Sequence, residues 1–400
     1  MGAAGNTPTP SILVINAGSS SVKFALYDAA APENRLLTGQ VSGIGTGAVE
    51  ADLPQETHKE VQNFGELAGD ASHEAAICWV LEGLEKSGFA IMAAGHRVVH
   101  GGSAFSAACR VDASVEAEIE RLIPLARLHN PHNLSAIRTV RSLWPDLPQI
   151  ACFDTAFHAT QPEIATTLAL PGELREAGIR RYGFHGLSYQ SVANSLQRFL
   201  PGGLPDRVIV AHLGNGASLC ALHKGKSIAT TMGFTPLDGL IMGTRPGLTD
   251  PGVIVYLLEE QGMEAGRLSH LLQKESGLLG LSGISADMRV LEASDEAAAR
   301  FAVEAFCYRI VRETGSLVAA LGGLDGFVFT GGIGENSARV RGRIMEGLGW
   351  LGAGVDGDAN QARAGREPLA ISPAGARLPV YMVRTDEEKV IAAETARLVA

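Results

Sequence analysis

Cysteine, aromatic residues and basic charge are all scarce in this chain. Only 5 of its 400 residues are Cys and 6% are Phe, Trp or Tyr. The cysteines, at positions 78, 109, 152, 220 and 307, stand at least 31 residues apart with no C-x-x-C pair. That spacing fits a reduced, cytoplasmic compartment with the thiols as ordinary core residues. No run of 18 apolar residues exists to span a bilayer. MGAAGNTPTPS lacks the basic and apolar regions of a leader, and Asn6 sits where N-myristoylation needs Ser or Thr. The 33 Lys+Arg against 43 Asp+Glu leave −10 at pH 7, and no basic run offsets it locally. Nucleic acid and anionic membrane are therefore not expected as partners.

Glycine, by contrast, is abundant, at 48 residues. Collagen is excluded by only 18 prolines and no G-X-Y period, and disorder by 46% hydrophobic against 19% charged residues. The glycines belong to a folded chain, long enough for two or three domains of roughly 150 residues.

Short β-branched runs alternate with longer helical patterns, the sign of an α/β protein. Strands are expected at Ile12–Asn16, Val22–Asp28, His96–His100, Gln149–Phe153, Val208–His212, Ser218–Leu222, Phe327–Thr330 and Val380–Val383. Helices are expected at Ser72–Lys86, Ser114–Leu128, Ser188–Leu200, Asp295–Leu321 and Glu387–Val399, the last opened by a Thr385/Glu388 capping box. Residues 29–57 and 353–365 read as loop-rich. ILVINAGSSSVKFALYD and VIVAHLGNGASLCALHKG echo one another as strand, tight turn, strand; Gly18 and Gly214 lie 196 residues apart, almost half the chain. Two unrelated hairpins or a duplicated domain would each give this echo.

Turns crowded with Gly, Ser and Asn directly after strands suit phosphate, because successive N–H groups can close around an anion. Asn16–Ser21, His212–Gly216 and Gly331–Asn336 are three such turns. No Walker A site is present, since Gly225-Lys226-Ser227 has Cys220 where the first glycine belongs, and Gly43-x-Gly45 lacks the flanking elements of a dinucleotide fingerprint. Arg97, in AGHRVVHGG, and Arg245, in LIMGTRPGLTDPG, each need a partner: a structural Asp, or an anionic substrate and a transferring phosphoryl group. Asp154, after QIACF, either caps the next turn or orients Mg²⁺ and arginines. Glu387 is placed where a helix dipole favours acids whatever their function. His129, His132 and His158 lie in breaker-rich stretches without the partners of a zinc site. His100 and His158 read as core or loop histidines, whereas His185, flanked by Gly183 and Gly186, leaves room for a ligand.

VINAGSSSVKF, HRVVHGG, PLARLHNPHN, FDTAFH, YGFHGLS, AHLGNGASL, TTMGFTPLDGLIMGTRPG, SGISADMR, FTGGIGEN and RTDEE follow in this order from residue 14 to 388. Together they closely resemble the acetate kinase family. The resemblance implies a duplicated actin-like (ribonuclease H-like) α/β fold of two lobes, with the active site in the interdomain cleft. The lobes would comprise residues 1–155 plus 388–400, and 156–387. It also implies ATP or ADP as co-substrate, Mg²⁺ (or Mn²⁺), a homodimer and transfer of the γ-phosphoryl group to acetate. The nearest alternative is propionate or another short-chain carboxylate as acceptor. A nucleotide-gated interaction protein of the actin or Hsp70 type would have no use for Arg97.

By the same resemblance, Asn16 and Glu387 help place the metal, and Ser19, Ser21 and Lys23 lie in the phosphate hairpin. His212, Leu213, Gly214, Asn215 and Gly216 line the nucleotide, with Asp287, Met288 and Arg289 and with Gly332, Ile333, Gly334, Glu335 and Asn336. Arg97 holds the substrate carboxylate, and Val99, Leu128, Phe184 and Pro236 surround its methyl group. Asp154, His185 and Arg245 are catalytic. Both Arg97→Ala and Arg245→Ala are expected to lose most of kcat with the fold intact. Three positions depart from the family pattern: Tyr189 stands where many members have histidine, Pro246 follows Arg245, and RTDEE replaces the commoner PTNEE.

Overall fold

The computed structural model describes residues 9–53 and 64–400. Their contacts gather into two compact units, one ending at Ala156 and completed by Asp386–Ala400, the other Phe157–Thr385.

In the first unit, β1 (Pro10–Ala17), β2 (Ser21–Asp28), β3 (Arg35–Ser42), β4 (Glu50–Asp52), β5 (Ala90–Val98), β6 (Cys109–Arg110) and β7 (Gln149–Phe153) form one sheet. Its order is β4-β3-β2-β1-β5-β7-β6. β1 runs antiparallel to β2 and parallel to β5, which runs parallel to β7. QIACF is buried at all five positions, as a parallel strand covered on both faces must be. Leu13, Ile15, Phe24 and Ala94 pack against Ala76, Ile77, Val80 and Leu81 of the helix His73–Lys86 and Ala136 and Val140 of the helix Asn130–Leu143. Successive strand residues face opposite ways, so Gly95, next to Ala94, meets Ile391 and Thr395 of the terminal helix Glu387–Val399 on the other face.

The second unit repeats this plan. β8 (Arg207–Leu213), β9 (Ala217–His223), β10 (Lys226–Thr230), β11 (Gly326–Thr330), β12 (Leu369–Ala370) and β13 (Val380–Met382) lie in the order β10-β9-β8-β11-β13-β12. Again the first strand pairs antiparallel within a hairpin and parallel with its other neighbour. Tyr189, Val192 and Leu196 of the helix Gly186–Phe199 pack on Val208, Val210, Cys220 and Leu222. The orders β3-β2-β1-β5-β7 and β10-β9-β8-β11-β13 are equivalent, so the two echoed segments are corresponding hairpins of a duplicated sheet.

Four local expectations change. β3 and β4 occupy part of the stretch that reads as loop, whose residues 54–57 lie outside the described residues; β3 turns Leu37 and Val41 inward, but Gly39 at the inward position between them weakens the alternation. The helix expected to run to Leu128 stops at Arg121, and Pro124 sits in a separate 3₁₀ turn, Ile123–Leu125. LHNPHN begins a helix instead of a loop, because Pro131 falls in the first turn, where a missing N–H costs nothing. The last helix is capped by Asp386, whose carboxylate accepts from Lys389 N, and not by Thr385.

Candidate active site

The first unit gathers charge at the carboxyl ends of its parallel strands. Arg97, next to last in β5, lies opposite Cys152 of β7, two residues before Asp154. Asp154 N bonds to Val98 O at 3.0 Å, which turns the Asp154 carboxylate back toward Arg97. Arg97 Nε and Nη2 donate to Oδ1 and Oδ2 at 3.0 and 2.6 Å, a bidentate fork with Asp154 only 1% exposed. Arg97 Nη1 lies 3.6 Å from Glu387 Oε2, in the first turn of the terminal helix. Burial opposes the charge on Arg97, but Asp154 and then Glu387 outweigh it and hold the guanidinium above its ordinary pKa. Glu387 is pushed up by burial; Arg97 counteracts this, and Asp154 reinforces it. Two carboxylates thus share one guanidinium.

The loops around this cluster are tied by residues to which the sequence assigned no role. Asn133 Nδ2 donates to Ala17 O at 2.8 Å while its Oδ1 accepts from Val99 N at 3.1 Å, joining the ends of β1 and β5. Asn130 makes a two-way bond with the His100 backbone, both at 3.1 Å. Their signal was the pair of asparagines in HNPHN, at the start of an apolar-faced helix. His73 donates from Nε2 to Gly18 O at 2.7 Å in the β1–β2 turn, which Gly18 N closes onto Ser21 O. Asn16 and Lys23 face one another across that hairpin. Val99 is buried, whereas Leu128 is 39% exposed.

The second unit gathers a different set around the β8–β9 turn. His185, in the left-handed conformation (φ 59°), caps the helix Gly186–Phe199, and its ring stacks on His212 with centroids 4.2 Å apart. His212 Nδ1 pairs with Ser188 Oγ at 2.7 Å. Arg245 donates from Nη1 to Pro236 O at 2.7 Å, and burial pushes its pKa down to about 10. Gly216 allows these groups to meet: a Cβ there would lie 2.7 Å from Arg245 Nη2 and 3.3 Å from His185 Nε2. Phe184, beside His185, is fully buried in this unit, whereas Pro236 is partly exposed.

The other glycine turns of the second unit adjoin this one. Gly331 (φ 80°) could carry no Cβ, which would strike Leu213 O at 2.8 Å. A Cβ on Gly214 would lie 3.8 Å from Gly332 N, so the turns after β8 and β11 are neighbours, as parallel pairing of those strands requires. Gly243 abuts both Asn215 Oδ1 and Ala286 O, which brings the stretch at Asp287 alongside. Glu335 Oε1 accepts from Gly331 N and Thr385 N at 3.0 and 3.2 Å, and Asn336 Nδ2 donates to Gly332 O at 2.8 Å. Ile333 and Gly334 continue this short helix. Asp287 caps the helix Met288–Ala293 and pairs with Arg289, which is largely exposed, while Met288 is buried. Among the described residues no group of three or more His, Cys, Asp or Glu is arranged to hold a metal ion, and no helix is long and apolar enough to cross a membrane.

Two sheets of equivalent strand order, each with a glycine-rich hairpin turn at its first strand, define the duplicated actin-like class of α/β proteins. The model of the acetokinase family matches residues 11–393, and the chain belongs to that family. It is 48% identical to an acetate kinase of Rhodopseudomonas palustris over 97% of this chain and 98% of that one. An acetate kinase of Deinococcus radiodurans is 46% identical, with the same coverage. Among solved structures, a propionate kinase from Francisella tularensis superposes with TM-score 0.89 at 37% identity, covering 97% of this chain and all of the other. Acetate kinase from Porphyromonas gingivalis gives 0.86 at 37% identity, covering 98% of this chain and all of the other.

Proposed function

We propose that this chain transfers the γ-phosphoryl group of ATP reversibly to acetate, giving acetyl phosphate and ADP. What carries the reading is the full-length likeness to acetate kinases, joined to the Arg97 cluster around the buried Asp154 in the first unit and the His185–Arg245 cluster of the second. Asp154 occupies the Nε/Nη2 side of Arg97, so the substrate carboxylate meets the Nη1 end, which it shares with Glu387, 3.6 Å from Nη1. By the family resemblance the methyl group is assigned to Val99 and Leu128 of the first unit and to Phe184 and Pro236 of the second. One carboxylate oxygen attacks the γ-phosphorus in line; the P–O bond to the β-phosphate breaks and the electron pair leaves with ADP. A carboxylate is already ionised at neutral pH, so no residue need remove a proton. Asp154 orients Arg97, while His185 and Arg245 offset the charge that develops on the equatorial oxygens.

By the family resemblance, nucleotide contacts are assigned to Lys23 of the β1–β2 hairpin in the first unit and to the turns of residues 212–216, 287–289 and 332–336 in the second. Mg²⁺, with Mn²⁺ as a substitute, fits the oxygen donors of Asn16 and Glu387. The excess buried carboxylate beside Arg97 is what a divalent cation would offset, and Mg²⁺ needs few protein ligands when substrate phosphates supply the rest. When bound, it neutralises phosphate charge.

We assign the protein to the cytoplasm, supported by five unpaired cysteines, three of them buried, and to a homodimer. The dimer is supported by the helix Pro251–Glu259, which buries none of its residues and exposes Val253, Val255, Tyr256 and Leu258. Propionate is the second reading, favoured by the Francisella likeness; one methylene in an apolar pocket is worth about 1–3 kcal/mol, a preference and not an exclusion. The deciding assay traps acyl phosphate with hydroxylamine, using ATP, Mg²⁺ and formate, acetate, propionate or butyrate in turn. Acetate should give the most hydroxamate, and no product from any of the four overturns the reading.

A further inference from the structure

The hydroxyl of Ser218, on β9, stands between two groups. It lies 2.9 Å from His185 Nδ1 and in short contact with the Tyr189 hydroxyl. Ser218 and Tyr189 are both fully buried. The fold makes the arrangement rigid: Tyr189 follows His185 by one helical turn, with its N–H bonded to His185 O at 3.1 Å, and Ser218 is paired with His212 across the β8–β9 hairpin. Residues at i and i+4 share a helix face, so one hydroxyl on the adjoining strand reaches both.

Counting protons gives this chain a direction. Burial pushes the Tyr189 hydroxyl well above its ordinary pKa, so it keeps its proton, and among the described residues its partner is Ser218 Oγ. A phenol is a stronger acid than an alkyl hydroxyl, so Tyr189 donates and Ser218 accepts. The proton of Ser218 is then directed at His185 Nδ1. A neutral imidazole whose Nδ1 accepts carries its proton on Nε2, the nitrogen turned toward Gly216 and Arg245.

We propose that Tyr189 and Ser218 are positioning residues that lock His185 in the Nε2–H tautomer, presenting a fixed donor beside Arg245. The link to phosphoryl transfer rests on the kinase reading above, whereas the tautomer does not. The tyrosine that departs from the family pattern is thus the first member of a Tyr–Ser–His relay.

The experiment records ¹H–¹⁵N correlations of the full chain, labelled with ¹⁵N-histidine, at pH 8, the His185 signals being identified by their loss in His185→Gln. The wild type should show Nε2–H, and Tyr189→Phe and Ser218→Ala should move His185 toward a mixed or Nδ1–H state. In the same variants kcat should fall roughly 10-fold or more, since the wrong tautomer removes the donor, with KM for acetate within about twofold. Tyr189→Phe keeps the ring and so the packing, and answers the question even if Ser218→Ala folds poorly. An Nδ1–H or doubly protonated His185 in the wild type, or an unchanged tautomer in both variants, overturns the proposal. A wild type that shows Nε2–H but forms no acyl phosphate supports the lock and sinks only the kinase reading.

Discussion

His158 Nε2 donates to the carbonyl oxygen of Phe184 at 2.9 Å, one peptide ahead of the left-handed His185. A carbonyl only accepts, so the proton is on Nε2, and Nδ1 accepts from Ser227 Oγ at 2.9 Å. The left-handed conformation costs a non-glycine residue of order 1–2 kcal/mol, and His158 anchors the peptide that enters it. His158→Leu removes the bond to the Phe184 carbonyl in a buried site. The expected loss is about 0.5–1.5 kcal/mol in urea unfolding, with kcat falling more than KM for acetate rises. Unchanged turnover would show that the turn holds without this bond.

Arg97→Ala should unsettle the fold as well as the chemistry, unlike the expectation from sequence. It leaves Asp154 buried without its two donors, and breaking such a pair costs about 3–5 kcal/mol. Arg97→Lys keeps the charge but loses the planar fork. A strongly lowered Tm for the alanine variant is expected, and for the lysine variant a drop in kcat/KM of order 10²–10³. An alanine variant melting with the wild type would refute the structural half of this assignment.

Arg245→Ala should behave oppositely. Among the described residues its side chain donates to a carbonyl, that of Pro236, and burial lowers its pKa to about 10. Its charged form is therefore disfavoured by folding throughout neutral pH, and this is relieved only as pH rises past about 10. Calorimetry should show an unchanged or higher Tm alongside a loss in kcat of order 10²–10³. A large drop in Tm would mean that Arg245 is a structural residue.

Glu387 gives a pH signature. Its pKa is raised in the folded state by burial, with Arg97 opposing and Asp154 adding, so the folded state holds this proton more tightly than the unfolded one. Its contribution is fully present below the unfolded pKa and is lost as pH rises through the folded pKa. Folding disfavours the ionised carboxylate, so Glu387→Gln should raise Tm at pH values above the ordinary carboxylate range. The same variant should lose most Mg²⁺-dependent turnover. A lower Tm would contradict the charge imbalance drawn at Arg97.

Tyr256→Glu and Val255→Glu, each placing a charge on the exposed apolar helix, should convert a dimer to a monomer in sedimentation without lowering Tm. Dimers that persist in both variants would remove this face from the interface.

The hairpins, most strand positions and the terminal helix were legible in the sequence because strand period, glycine turns and helical spacing are local properties. The ten ordered motifs likewise sufficed for the family. Partner choice was not legible. Whether Arg97 met Asp154, 57 residues away, or only a substrate depended on the parallel pairing of β5 with β7. That Asn133 joins the ends of β1 and β5, that Ser218 links Tyr189 to His185, and that Asp386 displaces Thr385 as the helix cap depended equally on which chain ends packing brought together. Sequence determined which residues carry charge and where the chain turns. The tertiary structure decided which buried donor meets which acceptor, because a buried polar group must take its partner from whatever the fold places within about 3 Å.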